Sequence, residues 1–495
     1  MNPRLAVLAE AARYACDLAA FAVPAIAYVS SASHQPGSWD TAELQGVPFI
    51  LGIAHPTGFP LYVLLGYAWS HAFAIDSVAF RMNAMSALAI AGACGIAYAI
   101  ARELGARRFV ALPATLWCAF VVDVWQHATR AESQDLAVLL EVAALYAFVR
   151  WMKGGTWRWY AGAFALLGLA IAAHPNALLM LAALIAGSIA VKRRPPLRLV
   201  WGCAGLMIAA LALYLYLPLR SAWIVSHGMD PTLGLPGTSG ALFLNYNNPS
   251  TPHGLVLEIF GGASGAPHDF LASLNPARIP AAFVALARGI AEQFSPVMLG
   301  LWAAGLYFAA RRDWRIALTL FVASIATLLF SVTYADEIDL GRYQMTALLL
   351  AVPFVASIEI ASGRLRTAAS IALALVLAIG AGRAFGAHPE YFIHEPFEGG
   401  RWVIASVEPL VPPGSIVLSS WLDATSLAYG AYVDGTLAGR IVLSGYPDEN
   451  VRFYPLWART RPVYVLAPGQ DVLPNATIVA HLDAYHTLWL AKPAP

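Results

Sequence analysis

The chain has 495 residues, of which 59% are hydrophobic and only 12% charged, and its net charge is +1. Soluble domains carry roughly 25% charged residues, so this composition excludes an ordinary soluble protein. Nothing in it resembles the basic stripe of a nucleic-acid-binding protein, which argues against such a partner. The four cysteines all lie in apolar runs without metal-ligand or disulfide spacing, so we expect them to be packing residues.

Apolar windows of about 20 residues, long enough to cross a bilayer, recur along the first three quarters of the chain. The sequence predicts eleven transmembrane helices, near 11–30, 82–101, 109–125, 134–150, 158–173, 176–191, 199–219, 296–310, 316–334, 344–361 and 367–386. Lysine and arginine then cluster in alternate short loops, as at 102–108, 192–198 and 311–315. The positive-inside rule therefore places the N-terminus in the cytoplasm and, after eleven spans, the C-terminus outside.

Two apolar segments have more than one interpretation. The apolar core of the first span is short, and Ser31-Ala32-Ser33 could serve as a signal-peptidase site, but we expect the helix to be retained as an anchor. Segment 60–75 could be a further span. That would turn the arginine cluster at 102–108 outward, so we predict instead a helix lying on or dipping into the outer surface.

Three regions are predicted to lie outside the membrane. Loop 31–81 follows the first span, and loop 220–295 is rich in Pro, Gly and Asn, with an amphipathic helix near 277–293. Beyond the last span, β-type runs at 415–420, 440–444, 462–466 and 477–481 alternate with helix-like stretches at 400–411 and 423–433. The chain thus divides into an all-α membrane bundle over 1–386 and a small α/β domain over 387–495.

The first outer loop carries Asp40 and Glu43, and then the stiff turn His55-Pro56-Thr57-Gly58. An i, i+3 spacing puts both carboxylates on one face of a helix. The pair could be a capping box, but its place between a span and a Pro/Gly-ordered segment favours a site. A carboxylate there could take the proton of an attacking hydroxyl, or could hold a divalent cation beside a phosphate. His55 could be a hydrogen-bonded structural residue or a contact to sugar or phosphate.

Other outer loops carry further polar residues. Arg130 and Glu132 could be an ion pair or part of a site, and His174-Pro175-Asn176 forms a turn. Arg220 ends one span, and Arg342-Tyr343 follows the acids Asp336, Glu337 and Asp339, with which Arg342 could simply pair. If the helices pack with a common outer cavity, Arg220 and Arg342 are the natural partners of an anion, because a guanidinium grips phosphate bidentately. Asp123 and Glu141 lie deeper in the spans and are predicted to be structural.

Several of these motifs together resemble a bacterial multi-pass family related to membrane protein O-mannosyltransferases, within the C-type (GT-C) glycosyltransferase superfamily. The resemblance runs over nearly the whole chain, and its motifs are Asp40-x-x-Glu43, His55 to Tyr62, Arg81-x-Asn83, Arg130-x-Glu132, the turn at His174, Tyr216 to Arg220, and the domain after Pro412-Pro413-Gly414. Two features depart from the better-known relatives: the acids are not adjacent, and Thr57 stands where Pro is usual.

The resemblance implies a GT-C fold and a glycosyltransferase of the O-mannosyltransferase type, with its site on the outer face of the bacterial inner membrane. The donor would be a polyprenyl-phosphate-linked sugar, and the acceptor a hydroxyl of a protein Ser/Thr or of a glycan. Asp40 matches the acid that activates the acceptor, Glu43 its partner, and Arg342-Tyr343 the pair near the donor phosphate. The C-terminal domain would be periplasmic.

Two other classes stay open on sequence alone. A lipid or solute transporter would hold charges deep in broken helices with repeat symmetry, a pattern that the sequence does not display. A non-catalytic assembly protein would act through its C-terminal domain. Against a nucleotide-sugar donor, no Gly-rich phosphate loop follows a predicted strand.

Overall fold

The structure, a computed structural model, describes residues 3–261, 277, 279–293, 295–333, 340–359, 365–387, 399–446 and 452–493. Most of them are helical. The helices are α1 (Pro3–Ser30), α2 (Trp39–Ile50), α3 (Pro60–Ala72), α4 (Val78–Glu103), α5 (Arg108–Ala119), α6 (Val122–Ala128), α7 (Ser133–Met152), α8 (Trp157–Ala173), α9 (Met180–Ala190), α10 (Leu197–Leu211), α11 (Tyr216–Ser226), α12 (Pro252–Phe260), α13 (Ile279–Gln293), α14 (Pro296–Thr333), α15 (Met345–Val355), α16 (Leu365–Gly386), α17 (Gly399–Val407), α18 (Trp421–Tyr432) and α19 (Tyr454–Trp457). Short 3-10 turns lie at Pro175–Leu179, Ala212–Leu215 and Leu340–Gln344.

Several helices have the length and apolar composition of membrane spans. Within the described ranges, four qualify singly: Val78–Glu103, Leu197–Ser226, Pro296–Ser331 and Leu365–Gly386. The pair α5 and α6 qualifies together, and Tyr14–Ser30, Trp157–Ala173 and Pro175–Ala190 are shorter apolar helices. The protein is thus a mostly helical, multi-pass membrane protein, as predicted, while the figure of eleven spans stays a prediction.

Three predicted spans have a different internal form. The segment predicted as one helix over 109–125 is broken into α5 and α6, which meet at 71°. The break falls at Phe120 and Val121, and Val121 is in the extended conformation. Conversely, the predicted helices at 296–310 and 316–334 run on as α14, interrupted only at Asp313, whose φ of −152° and ψ of 97° are not helical. The predicted loop between the two helices is therefore reduced to a break at one residue.

Helix α3 matches the segment predicted to lie at the outer surface. Its 13 residues extend about 20 Å at 1.5 Å per residue, less than the roughly 30 Å hydrocarbon core. One face is buried through Tyr62, Val63 and Gly66, and it packs on α2 and α4. Within the first outer loop, the segment is therefore held in place by its contacts with α2 and α4.

The C-terminal region forms a five-stranded mixed sheet in the order β2-β1-β3-β5-β4. Its strands are β1 (Ile416–Leu418), β2 (Ile441–Leu443), β3 (Val463–Pro468), β4 (Ala476–His481) and β5 (His486–Ala491). Strand β1 pairs in parallel with β2 and β3, while β5 is antiparallel to both β3 and β4. Four strands fall on the predicted β-type runs, and β5 was not predicted.

The sheet domain docks directly on the first outer loop. Helix α18 packs along α2, and one buried cluster includes Leu44 and Val47 of α2 together with Leu427 of α18. The main-chain N–H of Ala79 donates to the hydroxyl of Tyr429 at 3.1 Å, and Ser426 Oγ donates to the carbonyl of Gly37 at 3.0 Å. The docking therefore brings residues near 40 and 421 together.

Candidate active site

Asp40 lies in the first turn of α2, where the helix dipole favours a negative charge. The N-cap residue is Ser38 rather than Asp40, and its side chain makes no capping bond, so Asp40 and Glu43 do not form the capping box that was the alternative to a site. Instead the carboxylate of Asp40 has two partners from distant parts of the chain. Arg342 Nη1 donates to Oδ2 at 3.2 Å, and Trp421 Nε1 donates to Oδ1 at 2.8 Å. The side chains of Asp40 and Arg342 each keep 16% exposure, so the pair lies at the mouth of the site.

One turn further along α2, Glu43 is fully buried and holds the His55 turn. Its Oε1 accepts the main-chain N–H of His55 at 2.8 Å, and its Oε2 makes a short hydrogen bond with His55 Nδ1. The imidazole is partly exposed, at 22%, and its edge contacts the ring of Trp421, with centroids 5.7 Å apart. The i, i+3 spacing thus gives the two acids different tasks: Asp40 faces the mouth and Glu43 fixes the turn.

Aromatic rings join this turn to two other predicted motifs. His55 packs edge-on against Phe59 at 5.1 Å, and Phe59 stacks on His174 at 5.3 Å. His174 in turn lies 6.1 Å from the ring of Tyr343. The guanidinium of Arg342 lies 5.0 Å from that same ring. The motifs at 40–43, 55, 174 and 342–343 therefore lie next to one another.

The surroundings shift the pKa values of the titratable groups in this cluster in different directions. Burial would raise the pKa of Asp40, but the charges of His55 and Arg342 outweigh it and hold that pKa below its usual value. Burial opposes charge on His55 too, yet Glu43 and Asp40 raise its pKa to about 9. Burial and the nearby Arg342 lower the pKa of His174 to about 3. At neutral pH Asp40 is therefore a carboxylate, His55 is protonated beside Glu43, and His174 is neutral.

Helix α12 of the large outer loop adds a third acid, Glu258, that sequence reasoning missed. It is fully buried; Oε2 accepts from Asn247 Nδ2 at 3.1 Å, and Oε1 has no hydrogen-bond partner among the described residues. Burial raises its pKa well above the usual range. Gly58 lies against it: a Cβ there would come within 3.0 Å of Oε1, and its φ of +77° favours glycine.

Arg130 and Glu132 form a buried ion pair, with 3.1 Å between Arg130 Nε and Glu132 Oε1. Arg130 also lies 2.8 Å from His127 Nδ1 through Nη2. The side chain of Asn83 ties this loop to α2, because its Oδ1 accepts both the N–H of Ala131 at 2.8 Å and the side-chain amide of Gln45 at 3.0 Å. The pair therefore belongs to the packing behind α2, and a role in binding substrate stays a prediction.

Arg220 takes up a different position from Arg342. Its Nε and Nη2 donate to the carbonyls of Leu51 and Ile50, at 2.6 and 3.2 Å, where α2 ends. Asp40 lies at the other end of that helix, about 15 Å away along the axis at 1.5 Å per residue. The structure therefore does not bring Arg220 to the Asp40–Arg342 pair, and its two bonds satisfy carbonyls that a helix end leaves open.

The predicted possibility of a divalent cation finds no ready ligand set. Among the residues that the structure describes, no group of three or more His, Cys, Asp or Glu side chains is placed to hold a metal ion. The two candidate carboxylates are already engaged, Asp40 by Arg342 and Trp421, and Glu43 by His55.

The comparisons with known proteins agree with the predicted resemblance. Residues 40–195 match the family model described as the N-terminal domain of protein O-mannosyl-transferase TMEM260. The match begins at Asp40 and includes Glu43, His55, Arg130 and His174. No curated protein matches the chain.

Solved structures show the architecture of the whole chain. ArnT from Cupriavidus metallidurans, bound to undecaprenyl phosphate, is similar with a TM-score of 0.54 and 12% identity over 96% of this chain and 99% of ArnT. The oligosaccharyltransferase AglB from Archaeoglobus fulgidus, in complex with an inhibitory peptide and a dolichol-phosphate, is similar with a TM-score of 0.56 and 14% identity over 91% of this chain and 69% of AglB. The fold is of the GT-C type.

Within this GT-C fold, Trp421 was the other residue that sequence reasoning missed. It begins α18 directly after β1, and so lies at the carboxyl end of a parallel strand. Ligand sites in open α/β sheets gather at that edge, so the predicted strand at 415–420 carried the signal. What the sequence lacked was the docking of the sheet on α2, which turns this edge toward Asp40.

Proposed function

We propose that the protein is a membrane glycosyltransferase that moves a sugar, with mannose the first candidate, from a polyprenyl-phosphate-linked donor to a hydroxyl acceptor. The observation that carries the proposal is the carboxylate of Asp40, placed at the mouth of the site between a guanidinium and an indole N–H. Such a site pairs a base for the acceptor with a cation for the leaving phosphate. The family match and the GT-C fold support the same class.

The transfer needs one proton acceptor and one anion stabiliser. Asp40 takes the proton from the acceptor hydroxyl as the acceptor oxygen bonds to the anomeric carbon of the sugar. The bond from that carbon to the phosphate oxygen breaks, and its electron pair stays on the lipid phosphate. Arg342 stabilises this charge, and a planar guanidinium fits two phosphate oxygens at once. No cofactor is needed to balance the step.

The ion pair also gives a reason why Asp40 becomes a better base when the donor binds. In the structure the charges of Arg342 and His55 hold the pKa of Asp40 low, and a carboxylate in that state is a weak base. A donor phosphate that engages Arg342 would draw the guanidinium away from Asp40. The pKa of Asp40 would then rise toward the operating pH, which favours general-base catalysis. His55, carrying a positive charge, would help to hold the phosphate.

The fold and the membrane setting support a lipid-linked donor. Both solved relatives named above hold a polyprenyl-type lipid phosphate, undecaprenyl phosphate in ArnT and dolichol-phosphate in AglB. We propose the same class here, with the site on the outer face of a bacterial cytoplasmic membrane and the N-terminus inside. We further propose residues 1–386 as the transferase module and 387–495 as a periplasmic domain.

Asp40→Asn tests the proposal. The change keeps size and removes the charge, so sugar transfer by the purified protein should fall at least about 100-fold, the range of general-base catalysis, while thermal unfolding is little changed. The matched control is Asp434→Asn, since Asp434 forms an exposed pair with Arg401 at 3.3 Å and should leave transfer intact. Full activity of Asp40→Asn, in a protein that transfers sugar from a polyprenyl-phosphate donor, would remove Asp40 from the mechanism.

A further inference from the structure

A basic patch lies where α8 and α10 begin, at the end of these helices far from the candidate active site. The patch consists of Arg158, Lys192, Arg194 and Arg198, and all four residues are exposed. Helix α8 runs from this end to His174 of the site and has 17 residues, so about 25 Å separates the patch from the site at 1.5 Å per residue. The positive-inside rule predicts that the patch faces the cytoplasm.

The positive charge of the patch is not balanced by acids nearby in the chain. Between residues 142 and 229 the sequence has eight Lys and Arg residues and no Asp or Glu. Arg150 and Lys153, which are also at this end, pair with Glu103 at 3.3 and 3.2 Å. Among the residues that the structure describes, no acid forms an ion pair with any of the four patch residues. The patch is therefore open to an anion from outside the chain.

The turn between α9 and α10 is fastened to the turn between α7 and α8. The guanidinium of Arg193 lies 4.1 Å from the ring centroid of Trp157, and its Nη1 donates to the carbonyl of Gly155 at 2.9 Å. Farther along, α8 and α10 pack closely, because a Cβ on Gly168 would come within 2.9 Å of the Cα of Met207. The two turns therefore hold their basic residues in fixed positions at one end of a packed helix pair.

The patch is continuous with a surface of α10 that faces lipid. The segment Leu197–Ser226 is long and apolar enough to span a membrane, and hardly any of it is buried by protein. Leu197 and Trp201 are 69% and 70% exposed, and they lie one turn apart at the start of the helix. Tryptophan in this position is typical of the boundary between headgroups and acyl chains. An anion at the patch would therefore have apolar chains beside α10, which is the arrangement of a phospholipid.

We propose that this patch binds the phosphate headgroup of an anionic phospholipid of the phosphatidylglycerol class in the cytoplasmic leaflet. Clusters of Lys and Arg next to a membrane span on that side attract anionic headgroups. A phosphatidylcholine headgroup has no net charge and lacks this attraction. The proposal does not depend on the sugar-transfer function.

The bound lipid would stabilise two helices that lead to the candidate active site. Helix α8 ends next to His174, whose ring stacks on Phe59. The span that begins with α10 reaches Arg220, which bonds to the end of α2. We therefore expect the lipid to raise the unfolding temperature of the whole membrane bundle.

Lipid titration of the purified full-length protein in detergent tests the proposal. Phosphatidylglycerol should raise the unfolding temperature and phosphatidylcholine should not, and the midpoint of the rise gives an apparent Kd. In the double variant Lys192→Gln/Arg194→Gln this Kd should be at least about tenfold weaker, since each basic residue near an anionic surface strengthens binding about fivefold. The matched control is Arg383→Gln/Lys492→Gln, which removes two exposed charges in α16 and after β5 and should bind like the wild type.

The lipids and variants separate the possible outcomes. Equal shifts with the two phospholipids in the wild type would overturn the proposal before any variant is made. An unchanged Kd in the patch variant would place the lipid elsewhere, and equal weakening in both double variants would show a general effect of charge. Competition by inorganic phosphate at the concentration of the lipid would indicate a site for soluble anions. Tighter binding of undecaprenyl phosphate, lost in the patch variant, would indicate a polyprenyl lipid. Each of these results contradicts the phospholipid assignment, and none of them depends on sugar transfer.

Discussion

At the residue scale, the pair Asp40–Arg342 is the feature on which the site depends. The sequence left Arg342 two possibilities, pairing with acids of its own loop or facing the cavity of Asp40. Asp336, Glu337 and Asp339 lie outside the described residues, but the guanidinium bonds to Asp40 at 3.2 Å. Arg342 therefore lies where a donor phosphate could take the place of the Asp40 carboxylate, because both anions offer a guanidinium oxygens of similar geometry.

Arg342→Lys should be a poor replacement, because an ammonium keeps the charge without the planar fork. We expect donor affinity to fall about tenfold, which corresponds to about 1.4 kcal/mol. Arg401→Lys is the matched control, since Arg401 forms an exposed pair with Asp434 at the same kind of distance. Binding of undecaprenyl phosphate to the two purified variants measures the difference, and equal binding would leave Arg342 only a structural partner of Asp40.

His55 and His174 should make the free energy of unfolding depend on pH in opposite directions. The pKa of His55 rises from 6.5 unfolded to about 9 folded, so its contribution is full below pH 6.5 and is lost as pH rises through 9. The pKa of His174 falls from 6.5 to about 3, so its contribution is full above pH 6.5 and is lost as pH falls through 3. We therefore measure the unfolding temperature at a series of pH values. The decrease at alkaline pH should be lost in His55→Gln, and the decrease at acid pH should be smaller in His174→Gln. Parallel curves for wild type and both variants would contradict this.

At the element scale, α2 has the candidate catalytic residue Asp40 in its first turn, and its last carbonyls accept hydrogen bonds from Arg220. The sequence predicted Arg220 as an anion partner because an arginine that ends a span outward has that chemistry. The side chain instead donates to the last carbonyls of α2 and packs over Trp223 at 4.4 Å. Periodicity and residue type could not show this, because the partner is a helix end 170 residues earlier.

Arg220→Met keeps the aliphatic stem over Trp223 and removes both hydrogen bonds. Bonds from a charged donor contribute about 1.5–3 kcal/mol each, so the variant should unfold at a clearly lower temperature. Its affinity for undecaprenyl phosphate should stay that of the wild type, unlike the affinity of Arg342→Lys. Weak lipid binding by an Arg220→Met protein of normal stability would return Arg220 to the anion site.

Helix breaks and strand pairings show the limit of what local sequence can predict. Strands β1 to β4 were predicted because short β-type runs alternate with helix-like stretches. Strand β5 was missed, although Leu488 is fully buried between β3 and β4, because its place in the sheet depends on pairing with both neighbours. The break between α5 and α6 also has no local signal, since neither Pro nor Gly occurs at 119–122. The fold class was therefore predictable from local sequence, and the tertiary docking was not.

At the scale of the whole molecule, the proposed transfer site requires that Asp40 and the sheet domain share one side of the membrane. The structure requires this, because Trp421 bonds to Asp40 and α18 packs on α2. The positive-inside rule predicts that this side lies outside, opposite the basic turn at 153–158. Substrate lipid and acceptor would then meet outside the cytoplasm.

Single cysteines can test this arrangement on intact cells. Three of the four natural cysteines are buried, so a background in which only Cys16 is replaced by Ser should be nearly silent. In it, Thr477→Cys, on the exposed face of β4, should react with a membrane-impermeant thiol reagent from outside, and so should Ser38→Cys at the start of α2. Thr156→Cys, exposed at the start of α8, should react only after permeabilisation. The reverse pattern would place Asp40 in the cytoplasm, where an outward-facing lipid-linked donor could not reach it, and labelling of 38 and 477 from opposite sides would contradict the docked domain itself.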